Sequence, residues 1–425
     1  MMQSNTNAAP ARSVCTAPVT KPSPPTACGG PAEALRLLAE HLAPVADEPV
    51  DLHHAVGRVL AQPVDADRDS PAHDVSAMDG YAVRLADLAE LTDDMPVAGE
   101  VTTGNEPPAM PDGAAMAIFT GGCVPRGADA VIRREDVVES PGRIRLAVAR
   151  DAIKPGDNIR RQGENLTDGA RVLDAGRRID AAVMAALASF GMARPRVHRR
   201  VRVAVIVTGD ELLNADDTPA PWQVRDSNGP ALAAMLAPLP WVDFQGICRA
   251  PDTLDALIGA IHTQLPGCDA LLLTGGVSMG DHDHVPAALD AVGAEQLFHR
   301  LPIRPGKPLL AAVGPRGQAI LGLPGNPVSV MVTARRFAVA ALHRRAGLAA
   351  GFDAPAAVRL TNPDDKTLKL WWHRLVRFVE PGVAELVPGK GSGDVAAASC
   401  SDGFIEIPPG AQGAGPWPCW PWSVA

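Results

Sequence analysis

The sequence predicts a multidomain α/β plus β protein, built around a central α/β domain with an open, mostly parallel sheet. Three observations carry that reading. The first is length: 425 residues are too many for one ordinary domain, which holds roughly 100 to 200. The second is a change of grammar along the chain. Between Val201 and about Arg345 the near-continuous apolar runs VRVAVIV, DALLLT and QAILGL each end in a glycine-rich turn followed by a helical pattern. Strands buried on both faces of a parallel sheet read this way. The third is that the flanking regions carry short apolar runs broken by Pro and Gly, in a chain with 40 Gly and 41 Pro, which is the rhythm of small β domains.

The elements follow in order. Residues 1–30 are interrupted by polar residues and proline before an apolar stretch forms, so they read as a disordered leader and not as a secretion signal. The spacing of Ala34, Leu37, Leu38 and Leu42 predicts a helix over Pro31 to Leu42, and DLHHAVGRVLA predicts a second short helix around Val56 to Leu60. VAGEVTTG, AAMAIFTGG, ADAVIRREDVV and RIRLAVAR predict a small β domain up to about Gly163. Asp180 is placed to cap a core helix over Ala181 to Ala193, and Pro230 to Leu236 and Thr253 to Gln264 supply connecting helices of the α/β region. Beyond Asp353, VRLTN, WWHRLVRFV, VAELVPG and GFIEIPP predict a terminal β barrel or sandwich, after which PWPCWPW reads only as a proline-locked apolar tail.

Composition narrows the function. A net charge of −9, 4% aromatics and a single tyrosine offer neither the basic track nor the stacking platforms that a nucleic-acid partner needs. No apolar run reaches the ~18 to 20 residues of a membrane span. Seven irregularly spaced cysteines without a C-x-x-C argue against a disulfide framework or a structural zinc site and fit the cytoplasm.

In an open parallel sheet all carboxyl ends lie along one edge, where ligands bind. Three loops therefore converge: Thr208, Gly209, Asp210 and Glu211 of VTGDEL; Gly275, Gly276, Ser278, Asp281 and Asp283 of TGGVSMGDHDH; and Pro324, Gly325, Asn326, Pro327 and Ser329 of LPGNPVS. Glycines let backbone amides approach a phosphate, although neither a GxGxxG nor a Walker pattern is present. Acids beside a phosphate imply a hard divalent cation such as Mg²⁺ between them; the alternative is that they are helix caps and solvated loop acids. His282 and His284 lack a third ligand at a zinc spacing and read as loop side chains. In FHRLPIRPGKP an extended backbone would put Arg300 and Arg304 on one face, with Lys307 nearby, to grip a tetrahedral oxyanion; the alternative is a charged edge strand. In the β domain Asp79 and Tyr81 flank Gly80, and Thr120, Gly121, Gly122 and Asp129 form a second glycine-rich loop. Nothing in the residues themselves links these loops to the crevice.

The motifs SAMDGYAVR, TGGCVPRGADAVI, IRRQGEN, VTGDEL, RDSN, TGGVSMGDHD, IRPGKP and LPGNPVS occur in the order found in the MoeA family of molybdopterin molybdenumtransferases, and the chain resembles that family and the C-terminal domain of gephyrin from about residue 31 to 345. The resemblance implies a homodimer of four-domain subunits: a split linker domain over 31–65 and 164–198, an inserted β domain over 66–163, a molybdopterin-binding α/β domain over 199–348, and a C-terminal β barrel over 349–425. It implies Mg²⁺-dependent insertion of molybdenum from molybdate into adenylylated molybdopterin, with release of AMP, at a site shared between subunits. A molybdopterin adenylyltransferase upstream and molybdoenzymes downstream are the implied partners.

By motif position, Asp79 and Thr120 would serve the partner's site, and Glu211, Asp252, Asp281 and Asp283 would serve the metal. Thr208, Gly209, Asp210, Ser227, Asn228, Gly275, Gly276, Ser278, Lys307, Pro324, Pro327, Arg374 and Ser392 would bind the pterin nucleotide. Arg300 and Arg304 stand where the family commonly has lysines and would hold molybdate. Two departures are Asn165, where the family often has an acid, and Lys369, which takes an arginine's place. The competing readings are a molybdopterin adenylyltransferase, a gephyrin-like scaffold, and a non-catalytic paralogue.

Overall fold

The computed structural model describes residues 28–90, 94–278, 283–349 and 355–423. Its central six-stranded sheet has the order Val242–Ala250, Val201–Thr208, Ala270–Thr274, Ala319–Leu323, Leu310–Val313, Glu295–His299. The first four strands run parallel, and Leu310–Val313 is antiparallel to both neighbours. The near-continuous apolar run of Val201–Thr208, interrupted by Arg202, now has its cause. Val201, Val203, Val205 and Val207 belong to one core with Leu232, Leu236 and Phe337, whereas Ala204 and Ile206 belong to the core on the other face with Leu257, Ile261 and Leu289. Helix Asn228–Leu236 and the run from Pro327–Thr333 through a π-helical turn at Ala334–Ala338 to Val339–Arg345 supply the first core. Leu254–Gln264 and Val285–Ala291 supply the second. Helix Pro31–His41, expected in the split linker, places Ala34 and Leu38 in the first α/β core.

A smaller core of Ala55, Leu60, Val64, Ile179, Val183, Leu187 and Val197 draws together segments on both sides of the intervening β residues. Helix Ala181–Ser189 contributes to it and is capped by Asp180, whose carboxylate accepts from Val183 N at 3.0 Å. The short helix expected around Val56 to Leu60 is absent. Leu52–His54 is a 3₁₀ turn, Gly57 takes φ 74°, and Val59–Leu60 is a strand paired with Val197–His198. A short apolar spacing does not distinguish helix from strand, and here tertiary pairing decides.

The β residues between form a mixed sheet that curls into a half-barrel, ordered Ala130–Arg133, Gly80–Val83, Ala115–Ile118, Met95–Val101, Arg143–Leu146, Val137–Ser140. Gly80 is obligatory, because a Cβ there would lie 1.9 Å from the carbonyl oxygen of Ile132. Tyr81 therefore sits in a strand, its ring packed on the sheet's core and its hydroxyl donating to Glu139 at 2.9 Å.

At the C-terminus Trp371–Glu380, Val383–Leu386, Ala356–Leu360, Trp417–Pro421 and Gly403–Ile407 close into a five-stranded barrel. The segment that read as an apolar tail is a staved strand of this barrel. Cys419 is fully buried, with its thiol pushed up to about 12 by desolvation. Trp420 stacks on Phe404 at 5.8 Å and lies 4.2 Å from the Arg336 guanidinium. Arg336 in turn pairs with buried Glu406 at 2.9 Å, which fastens the barrel to the α/β helices. Among the described residues no helix is long and apolar enough to cross a membrane.

Candidate functional site

The loops leaving Val201–Thr208, Ala270–Thr274 and Ala319–Leu323 lie side by side. Thr208, Gly209, Glu211, Gly275, Gly276, Ser278, Pro324 and Pro327 line a cleft of about 750 Å³ that also takes in Ser227, Asn228, Asp252 and Asp283. The loop geometry depends on glycine. Gly275 has φ 88°, and a Cβ there would lie 2.7 Å from Thr208 Oγ1, which itself donates to Thr274 O at 3.1 Å. Asp283 accepts from Ser278 N at 2.8 Å and so closes the TGGVS turn. Asp226 accepts from Asn228 N and Gly229 N at 2.9 and 3.0 Å, and Asn228 Nδ2 donates to Gly325 O at 2.8 Å, which lashes the RDSN turn to the LPGNP loop.

Glu211, Asp252 and Asp283 stand in the cleft wall. Asp210 is not part of that wall; its carboxylate accepts from Asp252 N at 3.1 Å, so it shapes the loop instead. Asp281 and His282 lie outside the described residues. Among the described residues no three His, Cys, Asp or Glu side chains group closely enough to hold a metal ion by themselves.

A second compartment of about 890 Å³ opens between these loops and the barrel, and it shares Pro308, Pro324 and Asn326 with the first. Its wall carries Arg304, Lys307, Lys366, Arg374 and Lys390 against one acid, Asp364. Asp364 accepts both ends of the Arg374 guanidinium at 2.6 and 2.7 Å, and the guanidinium carbon sits 4.3 Å from the Trp372 ring. The bond from Arg374 is the main cause holding the Asp364 carboxyl below its ordinary range. Ser392 also lines this compartment: Oγ accepts from Asn326 Nδ2 and its carbonyl from Val328 N, each at 3.0 Å. One compartment is thus acidic and glycine-lined, and the adjoining one is cationic.

Arg300 departs from expectation. It adopts φ 75°, its backbone N donates to Leu309 O at 2.8 Å, its Nε is buried without an acceptor, and it lines neither compartment. The extended pair does not form because the chain leaves the central sheet at His299, turns, and enters the barrel sheet at Ile303–Arg304, beside Trp371 and Trp372. Arg304 and Lys307 are the pair that reach the cleft system. Asp79 and Thr120 are also outside both compartments. They form an exposed unit of their own, in which one Asp79 oxygen accepts from Thr120 N and Oγ1, each at 2.8 Å, and these bonds lower the carboxyl pKa.

Residues 31–191 match the MoeA N-terminal region (domain I and II), and residues 204–344 match the probable molybdopterin-binding domain. A molybdopterin molybdenumtransferase of Synechococcus elongatus is 39% identical over 72% of this chain and 77% of its own length. The chain belongs to the MoeA family. A molybdopterin molybdenumtransferase of Staphylococcus epidermidis is 30% identical over 90% of this chain and 92% of its own length. A crystal structure titled as the molybdopterin biosynthesis MoeA protein from Pyrococcus horikoshii shares 27% identity over 94% of this chain and all of that one, with a TM-score of 0.75.

In this MoeA-family chain Asn165 sits far along the sequence from the cleft loops and is locally engaged. Its Oδ1 accepts from Arg160 at 2.5 Å and its Nδ2 donates to Ser70 Oγ at 3.3 Å. Lys369 is exposed and outside both compartments. The sequence reading missed Asp364, Lys366, Trp372 and Lys390. The alternation of aromatic and cation in WWHR was the available signal, since on a strand Trp372 and Arg374 share a face.

Proposed function

We propose that this chain transfers molybdenum from molybdate to adenylylated molybdopterin and releases AMP. The observation that supports the reading is the junction of an acidic, glycine-turned compartment with a cationic one at Pro308, Pro324 and Asn326. A pterin nucleotide laid along the first presents its phosphate to the backbone of Gly275 and Gly276, while Arg304 and Lys307 hold the tetrahedral molybdate dianion across the junction. The residues are suited to positioning: the cations hold a molybdate oxygen against phosphorus, the bond from that phosphorus to the pterin phosphate oxygen breaks, the Mo–O bond to the attacking oxygen breaks as the two dithiolene sulfurs of the pterin bond to molybdenum, and AMP leaves with the molybdate-derived oxygen.

Glu211, Asp252 and Asp283 are hard oxygen donors in one cleft, the donor type that suits Mg²⁺, which is commonly held by one or two carboxylates plus substrate phosphates. When bound there it would supply charge neutralisation at the phosphate linkage. Asp79 and Thr120, exposed and preformed, are assigned to the cleft of a second copy in a homodimer, working in the cytoplasm between an adenylyltransferase and the molybdoenzymes that receive the product.

The test mixes purified protein, adenylylated molybdopterin, molybdate and Mg²⁺ and follows AMP. Molybdate-dependent AMP release is expected. Release indifferent to molybdate would overturn the reading, and adenylylation of molybdopterin from ATP would replace it with the adenylyltransferase.

A further inference from the structure

A third cavity, of about 670 Å³, lies at the opposite end of the central sheet and has no part in the reaction above. Arg199, Arg200 and Arg202 stand at the amino end of strand Val201–Thr208, and Thr208 at its carboxyl end faces the cleft. At ~3.3 Å per residue the two sites are about 20 Å apart. The cavity wall holds Arg58, Arg199, Arg200, Arg202, His53 and His54 against Glu48 and Asp243. In a chain of net charge −9 this is a local reversal of sign.

The bonding compensates the reversal only in part. Buried Asp269 accepts from Arg199 at 2.5 and 2.7 Å and from the Arg202 side chain at 3.2 Å, so one carboxylate fixes two guanidinium groups in place. Arg58, 7% exposed, gives one nitrogen to Glu48 and to His198 O, while its Nε is buried without an acceptor. Arg200 is exposed, and none of the hydrogen bonds or ion pairs found among the described residues engages its guanidinium. Val56, 63% exposed, adds apolar surface to the wall.

We infer that this cavity is a second ligand site, for a small phosphate-type dianion, either free phosphate or the phosphate of a mononucleotide. Asp269 orients Arg199 and Arg202 by taking Nη1 and Nη2 of the first and Nε and Nη2 of the second, and the N–H groups left over, together with those of Arg200, are the donors offered to a tetrahedral oxyanion. In the ester, the remainder would lie on Val56. The site is separate from the catalytic cleft and does not depend on what the cleft does.

The full-length protein is titrated calorimetrically with inorganic phosphate, AMP and adenosine, and arginines are mapped by phenylglyoxal labelling with each present. Phosphate and AMP should bind and adenosine should not. Arg200→Ala and His54→Ala should keep the wild-type melting curve and AMP release. Arg200→Ala should weaken dianion binding by about tenfold or more, as for loss of one charge-assisted contact. Both dianions should shield Arg200 from labelling. Tighter phosphate binding identifies the free ion, and tighter AMP binding the ester. The inference is overturned by affinity unchanged in Arg200→Ala, by protection confined to Arg304 and Arg374, or by an Arg200 that the reagent cannot reach in the native protein, as when a second copy covers it.

Discussion

Gly275→Ala tests the cleft at its most constrained point. The residue sits at φ 88°, where an alanine pays roughly 1 to 2 kcal/mol for its Cβ alone. The new methyl would also stand 2.7 Å from Thr208 Oγ1 and 3.0 Å from Thr208 O. The backbone oxygen belongs to a buried strand, so the hydroxyl must rotate off Thr274 O and give up about 1 kcal/mol of hydrogen bond. The total is about 2 to 3 kcal/mol. If the loop moves to relieve the contact, stability is recovered but the proposed phosphate cradle is displaced, and a shift of ~1 Å there costs about a hundredfold in rate. Gly317→Ala is the control: its φ is 77°, yet nothing lies within 4 Å of a Cβ there, so only the conformational cost applies. Urea unfolding and molybdate-dependent AMP release, measured on both variants, separate the contributions. A Gly275→Ala protein no less stable than Gly317→Ala, with full turnover, would refute the reasoning.

Three further outcomes are expected. Arg304→Ala should raise the KM for molybdate by about tenfold or more, whereas Arg300→Ala should leave it near wild type, because only Arg304 faces the cationic compartment; steady-state AMP release distinguishes them. Asp364→Asn should impair molybdate saturation severalfold by freeing Arg374 from its two-point hold, with partial rescue by Asp364→Glu. Asp269→Asn should cost about 3 kcal/mol near neutral pH by leaving Arg199 and Arg202 without their buried partner. Since the bonds from Arg199 and Arg202 depress the folded-state pKa of Asp269 despite burial, its stabilisation is present above the ordinary carboxylate pKa of about 4 and is lost as pH falls toward the depressed value. The gap between wild type and Asp269→Asn in denaturant melts should thus be flat from pH 7 to 5 and narrow below about 4. A constant gap at pH 3 would count against the assignment.

Much of this was readable because burial leaves a period in the chain. Val203 to Val207 is apolar on consecutive residues because both faces are covered, and the TGDEL that follows had to emerge at the ligand edge. What stayed hidden depends on partners distant in sequence. Val59–Leu60 is a strand because Val197–His198 lies beside it, and no local spacing reports that. Arg300 and Arg304 part company because the second joins Trp372, some 70 residues downstream. Trp417–Pro421 looked like a tail until Ala356–Val358 and Gly403–Ile405 framed it on either side.

The two-residue strand Ile303–Arg304 has a consequence for how the protein can be divided. It is connected on both sides to the central sheet yet is hydrogen-bonded to the barrel. A cut at 355 would leave Ile303, now fully buried, at a raw edge, and would remove the strand against which Arg304 takes its direction. The α/β unit is therefore not a detachable module. The barrel acts as the template on which the cationic half of the cleft is laid down, so a change in strand Trp371–Glu380 is passed directly to the loop that carries Arg304 and Lys307.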